Sequence, residues 1–285
     1  MPAMHAPPRA LEGKRIVLTR PVAQAGDFED RVRALGGDPV LAPAIAIAPP
    51  ETWSVADAAL HRVAMYEYDW IAFTSANAVT ALVERADAID VPRDAFRGRR
   101  LAAVGRATAA AVRAALGEPT IVAATHTAES LAREIPDVEG QRVLFPHGDL
   151  AADALPAGLA QRGAFVDAVV VYRTVPGDGV ATLAAAIRAG TVDAVLFASA
   201  SAFRFVAEAL AEASAHGERT SGEVDAATRG QPRWPAVMCI GPSTADAARA
   251  AGLDPDVVAE SATQNELIDR VAGWFAARHD VHVEE

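Results

Sequence analysis

Small hydroxyl and amide side chains recur at two distant points of the chain, each time directly after a short apolar run. Residues 68–79 (YDWIAFTSANAV) place Thr74, Ser75 and Asn77 behind such a run, and residues 192–203 (VDAVLFASASAF) repeat the design with two serines. These side chains hydrogen-bond well but are weak acids and bases. They favour recognition of a polar or anionic ligand that carries its own reactivity.

Each copy is typical of half a βαβ unit. A buried strand stops at a hydroxyl cluster, and apolar residues then follow at helical spacing, such as Val79, Leu82 and Val83 in the first copy. In parallel α/β sheets, ligands sit outside the carboxyl ends of the strands, where helix N-termini present free N–H groups. The alternative is that the hydroxyls only cap helices, which explains most of them equally well.

Further matches indicate that most of the chain is duplicated. Residues 13–18 resemble residues 140–145, and residues 104–109 resemble residues 240–245. The repeat is too long for a solenoid, so we expect two similar α/β domains, each with about five parallel strands and helices on both faces. Composition does not decide whether the halves are consecutive or exchange their first βαβ segment.

Composition limits the class of protein. The 285 residues are 51% hydrophobic, which suffices for two cores, and the single cysteine, Cys239, excludes an internal disulfide. No apolar run reaches the length of a membrane span and the first nine residues lack a signal-peptide core, so we expect a cytoplasmic protein. The formal charge of -11 argues against a nucleic-acid surface.

Familiar catalytic motifs are missing from the sequence. It has no G-x-G-x-x-G fingerprint, no P-loop, no nucleophile elbow and no cluster with metal-ligand spacing. His279 and His282 are interpreted as solvated residues of a frayed tail. Residues 39–47 are predicted to be one extended segment, residues 146–149 a turn, and residues 216–233 a mobile surface loop.

Several short motifs, in order, resemble the uroporphyrinogen-III synthase family over nearly the whole chain from Gly13 to about Ala277. The motifs are residues 18–21, 73–79, 103–109, 171–174, 197–199 and 240–245. The resemblance implies two α/β domains with parallel sheets flanked by helices, joined by a two-stranded linker, with a cleft between them. The implied divisions are a flexible tail over 1–12, a first domain over 13–42 plus 176–278, a second domain over 48–168, linker strands over 43–47 and 169–175, and a tail over 279–285.

The family resemblance also implies an activity. Hydroxymethylbilane would lose its hydroxyl to give an azafulvene, pass through a spiro intermediate and close into a ring with its terminal pyrrole inverted, releasing only water. This is a lyase reaction of tetrapyrrole and heme biosynthesis without cofactor or metal. The implied partners are this polycarboxylate substrate and, transiently, the preceding pathway enzyme, while the protein itself is expected to be a monomer that binds neither nucleic acid nor membrane.

Residue roles carry over by position. The resemblance implies that Tyr172 assists departure of the hydroxyl, and a phenol is protonated at neutral pH and able to donate. The alternative is a tyrosine that only packs at a strand end. The resemblance implies substrate contact at Ser243 and Thr244. Together with the residues predicted at the strand ends, the predicted substrate-binding residues are Thr19, Arg20, Thr74, Ser75, Ala76, Asn77, Gly105, Thr108, Thr127, Gly148, Ser199, Ala200, Ser201, Gly241, Ser243 and Thr244.

The chain departs from the family pattern at Ala198, Ala200 and Ser243, where a hydroxyl, Pro and Thr respectively are more common. Long-range attraction of a polycarboxylate is also unfavourable at a charge of -11, so Arg20, Arg106 and Arg173 are expected to compensate locally. Two rival functions stay open. One is a non-catalytic ligand-binding or regulatory module on the same fold, and the other is a sugar- or nucleotide-utilising α/β enzyme.

Overall fold

The computed structural model describes residues 9–21, 25–217, 234–259 and 264–281. The chain divides into two compact units, which are described separately below. Unit 1 comprises Met1–Ala46 and Val175–Glu285, and unit 2 comprises Ile47–Thr174. Among the described residues, no helix is both long and apolar enough to cross a membrane.

Unit 1 is a parallel five-stranded sheet with helices on both faces. Numbered in chain order, its elements are β1 (Arg15–Leu18), α1 (Phe28–Ala34), β2 (Asp38–Leu41), α7 (Gly179–Arg188), β9 (Ala194–Phe197), α8 (Ala200–Gly217), β10 (Ala236–Cys239), α9 (Pro242–Ala250), β11 (Val257–Val258) and α10 (Gln264–Val281). The strand order is β11-β10-β9-β1-β2. Two segments far apart in sequence therefore share one sheet, because β1 pairs with β9.

Alternation along the strands distributes the core of unit 1 over both faces of its sheet. In β1, Ile16 and Leu18 pack under α1 and α10, whereas Val17 packs under α7, α8 and α9. Successive side chains of a strand point to opposite faces. A strand covered on both faces needs an unbroken apolar run, which explains why β9 and β10 are buried at every position.

Unit 2 contains a six-stranded sheet with the order β3-β8-β7-β4-β5-β6. The five strands from β8 to β6 are parallel. Its elements are β3 (Ile45–Ala48), α2 (Ser54–Ala64), β4 (Trp70–Phe73), α3 (Ala76–Ala88), a 3₁₀ helix (Arg93–Phe96), β5 (Arg100–Ala103), α4 (Arg106–Ala115), β6 (Ile121–Val122), α5 (Ala128–Glu134), β7 (Arg142–Gly148), α6 (Ala154–Gln161) and β8 (Phe165–Pro176). β3 spans the division between the units, as does the end of β8.

Strand β4 is the centre of unit 2. Ile71 and Phe73 face the core under α2, α3 and α4, while Trp70 and Ala72 face the core under α5 and α6. All four residues are buried. The apolar run that the sequence placed before Thr74 is therefore a fully buried strand, and the hydroxyl turn behind it lies at the carboxyl end of the sheet.

Four expectations need correction. The extended segment over 39–47 is two strands, β2 and β3, separated at residues 42–44. The prediction of a turn over 146–149 is wrong, because β7 continues to Gly148 and pairs with β8 along its length. The tail over 1–12 is too long, since Leu11 is fully buried in unit 1. The tail over 279–285 is too long as well, because α10 continues to Val281.

Part of the loop expected over 216–233 also differs. Residues 216–217 are the end of α8, while residues 218–233 lie outside the described residues. The sequence also shows a similarity between residues 127–131 and residues 263–267, of which residue 263 lies outside the described residues.

Candidate functional site

One edge of the unit 2 sheet collects the predicted site residues of that unit. Because β4, β5, β6 and β7 are parallel, the turns that follow them emerge at the same edge. These turns and the strand and helix ends that flank them carry Thr74, Ser75, Ala76, Asn77, Gly105, Thr108, Thr127 and Gly148. The sheet therefore gathers residues that are up to 74 positions apart in sequence at one edge.

Two hydroxyls on this edge cap helices. Ser75 accepts a hydrogen bond from the backbone N–H of Ala78 at 3.1 Å, and Thr127 accepts one from Ser130 at 3.1 Å. Both cap residues have extended backbones, as N-caps require. Thr74 and Asn77 do not cap, and Asn77 is exposed at the first turn of α3. The capping alternative therefore accounts for Ser75 and Thr127 but not for their neighbours.

Tyr172 is closely packed at this edge. Its hydroxyl oxygen lies 3.2 Å from Ser75 Oγ. Its ring covers Gly148 so closely that a Cβ on Gly148 would lie 2.7 Å from the tyrosine hydroxyl. The ladder between β7 and β8 shifts register at this point, where Gly148 pairs with Tyr172. The structure thus brings Tyr172, Ser75 and Gly148 together, although they are separated by 97 residues at most.

A histidine that the sequence reasoning passed over adjoins this edge. His126 has a left-handed backbone with φ of 55° and directly precedes the cap Thr127. A Cβ on Gly105 would lie 3.0 Å from His126 Nδ1, so the glycine allows the imidazole to approach. Nothing in the sequence pattern distinguishes this histidine, because it follows a strand of only two residues.

The corresponding edge of unit 1 carries the other predicted residues. β1, β9 and β10 are parallel, so their carboxyl ends lie at one edge. Thr19 there is buried, donates its hydroxyl to the Leu196 carbonyl at 3.0 Å and accepts the Ala198 N–H at 3.2 Å. Its hydroxyl hydrogen is therefore engaged in fastening β1 to the turn after β9.

The turn after β9 repeats the cap of unit 2. Ser199 accepts the Ala202 N–H at 3.1 Å, and Arg204 lies 3.4 Å from Ser201 Oγ. Ala198, Ser199, Ala200 and Ser201 are all partly accessible. No tyrosine accompanies this second cap among the described residues, so the two edges share their turn but differ in chemistry.

The turn after β10 exposes one hydroxyl and buries the next. Ser243 is exposed, whereas Thr244 is 3% exposed and packs within α9. A Cβ on Gly241 would meet no atom within 4 Å, so there is open space above this turn. The space leaves room for a ligand to approach the N-terminus of α9, whose first N–H groups lack intrahelical partners.

One arginine on each edge has no partner in the described part of the chain. Arg20 follows β1 and is partly buried, and this burial lowers the pKa of its guanidinium from the ordinary value. Arg106 is exposed at the start of α4. Arg173 differs from both, because it pairs with Glu51 at 3.6 Å and donates to the Pro49 carbonyl. Arg20 and Arg106 are the cations that these edges offer to an anion.

A cavity of about 340 Å³ in unit 2 has Tyr172 among its lining residues. Trp53, Val171 and Arg85 are among its lining residues. Arg85 is already held by Asp57 through two bonds of 2.7 Å and lies over the Trp53 ring. The cavity therefore offers an apolar wall rather than a free positive charge. Within the described residues there is no group of three or more His, Cys, Asp or Glu side chains suited to a metal.

Comparison with known proteins gives one family. The family model described as uroporphyrinogen-III synthase HemD matches residues 26–269. A uroporphyrinogen-III synthase of Synechococcus elongatus is 33% identical over 171 residues, which are 58% of this chain and 62% of that protein. A porphyrin biosynthesis protein HemD of Ruminiclostridium josui is 25% identical over 270 residues, which are 92% of this chain and 49% of that protein.

Coverage of these relatives is partial. The match spans 62% of the Synechococcus elongatus protein and of a putative uroporphyrinogen-III synthase of Methanocaldococcus jannaschii, and about half of the Ruminiclostridium josui protein. The Methanocaldococcus jannaschii protein is 29% identical over 163 residues, or 56% of this chain.

Solved structures share the fold. A uroporphyrinogen III synthase of Thermus thermophilus matches with a TM-score of 0.60 and 22% identity, covering 94% of this chain and 100% of that one. A uroporphyrinogen-III synthetase of Helicobacter pylori matches with a TM-score of 0.57 and 14% identity, covering 91% and 99%. The predicted architecture of parallel sheets flanked by helices is confirmed.

Proposed function

Since the chain belongs to the uroporphyrinogen-III synthase family, we propose that it closes hydroxymethylbilane into a ring while inverting the terminal pyrrole, with loss of water. This is a lyase activity of tetrapyrrole and heme biosynthesis. The observation that carries the proposal is the family match over residues 26–269, which includes the unit 2 edge with Tyr172 and the turns after β9 and β10, whereas Thr19 and Arg20 precede the matched range. We propose further that the protein acts as a cytoplasmic monomer without a cofactor and meets the preceding pathway enzyme transiently.

The substrate is a polycarboxylate, and the two edges supply groups that suit it. Arg20 and Arg106 contact carboxylates directly, because neither charge is matched by a carboxylate among the described residues. Hydrogen bonds to a charged group contribute roughly 1.5–3 kcal/mol each. Exposed or partly accessible hydroxyls and amides add neutral contacts. These are Thr74, Asn77, Thr127, Ser199, Ser201 and Ser243.

The buried hydroxyls act differently in this proposal. Thr19, Thr108 and Thr244 are at most 5% exposed, so they shape the turns rather than touch the ligand. The small residues of the same turns put little side-chain bulk in front of the backbone N–H groups. These are Ala76, Gly105, Ala200 and Gly241. Backbone N–H groups at helix N-termini favour anions through their partial positive charge.

Tyr172 acts as the general acid in the proposed mechanism. Its phenol gives a proton to the substrate hydroxyl, the carbon–oxygen bond breaks with its electron pair going to oxygen, and water leaves. The electron pair of the pyrrole nitrogen stabilises the cation that remains, which loses the N–H proton to give the azafulvene. At ring closure the azafulvene nitrogen takes a proton back and the attacking carbon loses one, and the return of a proton to the phenolate restores Tyr172.

Control over the geometry of ring closure is the larger part of the proposed catalysis. Closure without inversion needs no enzyme, so type III product requires that the terminal ring be held for attack at its substituted carbon. Contacts at several of the turns named above would fix the pyrroles of a long flexible chain. We also propose the domain division given above, with linker strands over 43–47 and 169–175.

A rate measurement tests the proposal. Purified protein is added to freshly prepared hydroxymethylbilane, and consumption of the bilane is compared with protein-free and heat-denatured samples. We expect consumption proportional to the concentration of native protein. A protein that binds the bilane but leaves its consumption at the protein-free rate would instead be a binding module.

A further inference from the structure

The Ser75 hydroxyl links the start of α3 to the Tyr172 phenol. Ser75 Oγ accepts the Ala78 N–H at 3.1 Å and lies 3.2 Å from Tyr172 Oη. A serine hydroxyl has one hydrogen and two lone pairs. One lone pair is occupied by the Ala78 N–H, which leaves the hydrogen available for Tyr172. Ser75 Oγ keeps a second lone pair, so either hydroxyl can be the donor, and when Ser75 donates the phenol keeps its own hydrogen for another acceptor.

The ring is fixed in this orientation from its other side. A Cβ on Gly148 would lie 2.6 Å from Tyr172 Cε2 and 2.7 Å from Oη, so any larger residue there would displace the phenol. The backbone is fixed as well. The Asp149 N–H donates to the Tyr172 carbonyl at 3.1 Å, and the Asp149 carboxylate accepts the Thr174 N–H at 2.9 Å.

We propose that Ser75 is a positioning residue that donates its hydroxyl hydrogen to Tyr172 and thereby directs the phenolic hydrogen towards the substrate hydroxyl. This inference rests on the proposed function, because it assigns Ser75 a part in the same proton transfer. Ser75 would then have two roles, because it both caps α3 and positions the Tyr172 phenol. Gly148 supports it by keeping the phenol within reach of Ser75.

The interaction strengthens as the reaction proceeds. The oxygen–oxygen separation of 3.2 Å is longer than the roughly 2.7–2.8 Å typical of hydroxyl pairs, so the bond is weak while the phenol is neutral. When Tyr172 gives up its proton, the oxygen becomes an anion and hydrogen bonds to it become about twice as strong. The N-terminus of α3, a helix of 13 residues, adds a favourable partial charge at the same place.

The proton balance is closed within the proposed reaction. The O–H bond of Tyr172 breaks, a new O–H bond forms on the departing hydroxyl, and the carbon–oxygen bond breaks to release water. Ser75 keeps its own hydrogen throughout and only shares it with the phenolate. The N–H proton that the cation loses is returned to the same nitrogen at ring closure, and the proton that the substrate carbon loses there balances the one that Tyr172 donated.

A double-mutant cycle between Ser75→Ala and Tyr172→Phe tests the inference. We expect Ser75→Ala to lower kcat about 10-fold with KM changed less than about 2-fold, and Tyr172→Phe to lower kcat by about 10²-fold. If Ser75 acts through the phenol, Ser75→Ala should have no further effect on kcat in the Tyr172→Phe background. Effects that multiply would overturn the inference, because they would show that Ser75 acts independently of Tyr172.

Two further variants separate capping from positioning. Ser75→Asp retains a good N-cap but has no hydroxyl hydrogen, so we expect an unchanged thermal midpoint with kcat at least as low as that of Ser75→Ala. Ser75→Thr retains cap and hydroxyl and should restore kcat to within about 3-fold. Near-normal kcat in Ser75→Asp would assign the Ser75→Ala effect to the lost cap and overturn the inference.

The wild-type protein in the same assay separates this inference from the proposed function. If it forms type III product and the cycle is additive, the function stands and the role of Ser75 is wrong. If it forms none, the proposed function fails and the inference fails with it.

Discussion

At the scale of single residues, Arg20 and Tyr172 have the main chemical roles in the proposed reaction, as anion-binding residue and general acid. Arg20 keeps its charge at the end of β1 despite partial burial, which costs free energy unless an anion offsets it. Tyr172 is held by one hydroxyl contact and one glycine. Both positions could be predicted from the sequence as motif members, but neither the burial of Arg20 nor the contact with Ser75 could, because they depend on how distant strands pair.

Replacing Arg20 tests the anion contact. We expect Arg20→Gln to raise KM about 10-fold with little change in kcat, because a charge-assisted bond of roughly 1.5–3 kcal/mol to the substrate is lost. Steady-state kinetics with hydroxymethylbilane measure this. Arg188→Gln, which removes an exposed arginine from the last turn of α7, is the matched control and should leave both constants unchanged. An unchanged KM in Arg20→Gln would remove this residue from substrate binding.

Replacing Tyr172 tests the general acid. We expect Tyr172→Phe to slow turnover by about 10²-fold without unfolding the protein, since the phenylalanine ring keeps the packing against Gly148. Tyr66→Phe is the control, because Tyr66 is 59% exposed and lies outside the sheet edge. Unchanged turnover by a folded Tyr172→Phe protein would exclude Tyr172 from proton transfer.

A third residue-scale prediction concerns the space at Gly148 that the Tyr172 ring occupies. Gly148→Ala would force the Tyr172 ring away from its position, so we expect kcat to fall by at least about 10-fold. Gly273→Ala is the control, because a Cβ there meets no atom within 4 Å and Gly273 lies inside α10. That change should raise stability by about 0.5–1 kcal/mol and leave kcat alone. Normal kcat in Gly148→Ala would show that the ring position does not matter.

At the scale of elements, the sequence predicts the helix starts and the buried strands. The caps Ser75, Thr127 and Ser199 stand where hydroxyls follow apolar runs, and each accepts an N–H three residues ahead. The sequence does not predict the full length of strand β7. Pro146 and Gly148 look like a turn, yet they continue the ladder because β8 supplies partners on one side and a register shift absorbs the irregularity.

The pairing of α2 with α3 gives an element-scale prediction with a pH dependence. The hydrogen bonds from Arg85 lower the pKa of Asp57 from its ordinary value. A carboxyl with a lowered pKa in the folded state stabilises the fold above its ordinary pKa, and this contribution is lost as the pH falls through the folded value. We therefore expect Asp57→Asn to lower the thermal midpoint by a few degrees at pH 6–7.

The difference between wild type and Asp57→Asn should shrink as the pH falls below about 4, because the unfolded chain then binds a proton at Asp57, and it should vanish once the pH falls through the lowered pKa of the folded state. Thermal melts at several pH values measure it. Asp90→Asn serves as a comparison, because no ion pair involves Asp90 within the described ranges. A constant difference at all pH values would mean that packing rather than charge holds α2 to α3.

At the scale of the whole molecule, the duplicated sequence corresponds to two units with separate cores. Each core covers both faces of its own sheet. The repeat predicted two α/β units, but only the family resemblance predicted that the N-terminal strand joins the C-terminal half. Composition could not show this, because β1 is equally apolar beside either sheet, and the pairing of β1 with β9 depends on contacts 178 residues apart.

Net charge makes a prediction at this scale. A protein of formal charge -11 repels a polycarboxylate over distances beyond direct contact. Salt screens this repulsion before it weakens partly buried pairs. We expect kcat/KM to rise about 2-fold between roughly 10 and 100 mM monovalent salt, with potassium chloride and sodium chloride giving the same curve. A steady decrease from the lowest salt would show that local cations dominate capture of the substrate.

The most direct test of the central claim is the isomer composition of the product. Native protein is incubated with freshly prepared hydroxymethylbilane, the products are oxidised, and type I and type III uroporphyrins are separated by chromatography. We expect mainly type III uroporphyrin, in a fraction that increases with the concentration of native protein and falls in Tyr172→Phe. Type I alone, as in the protein-free sample, would contradict the claim that this chain inverts the terminal ring.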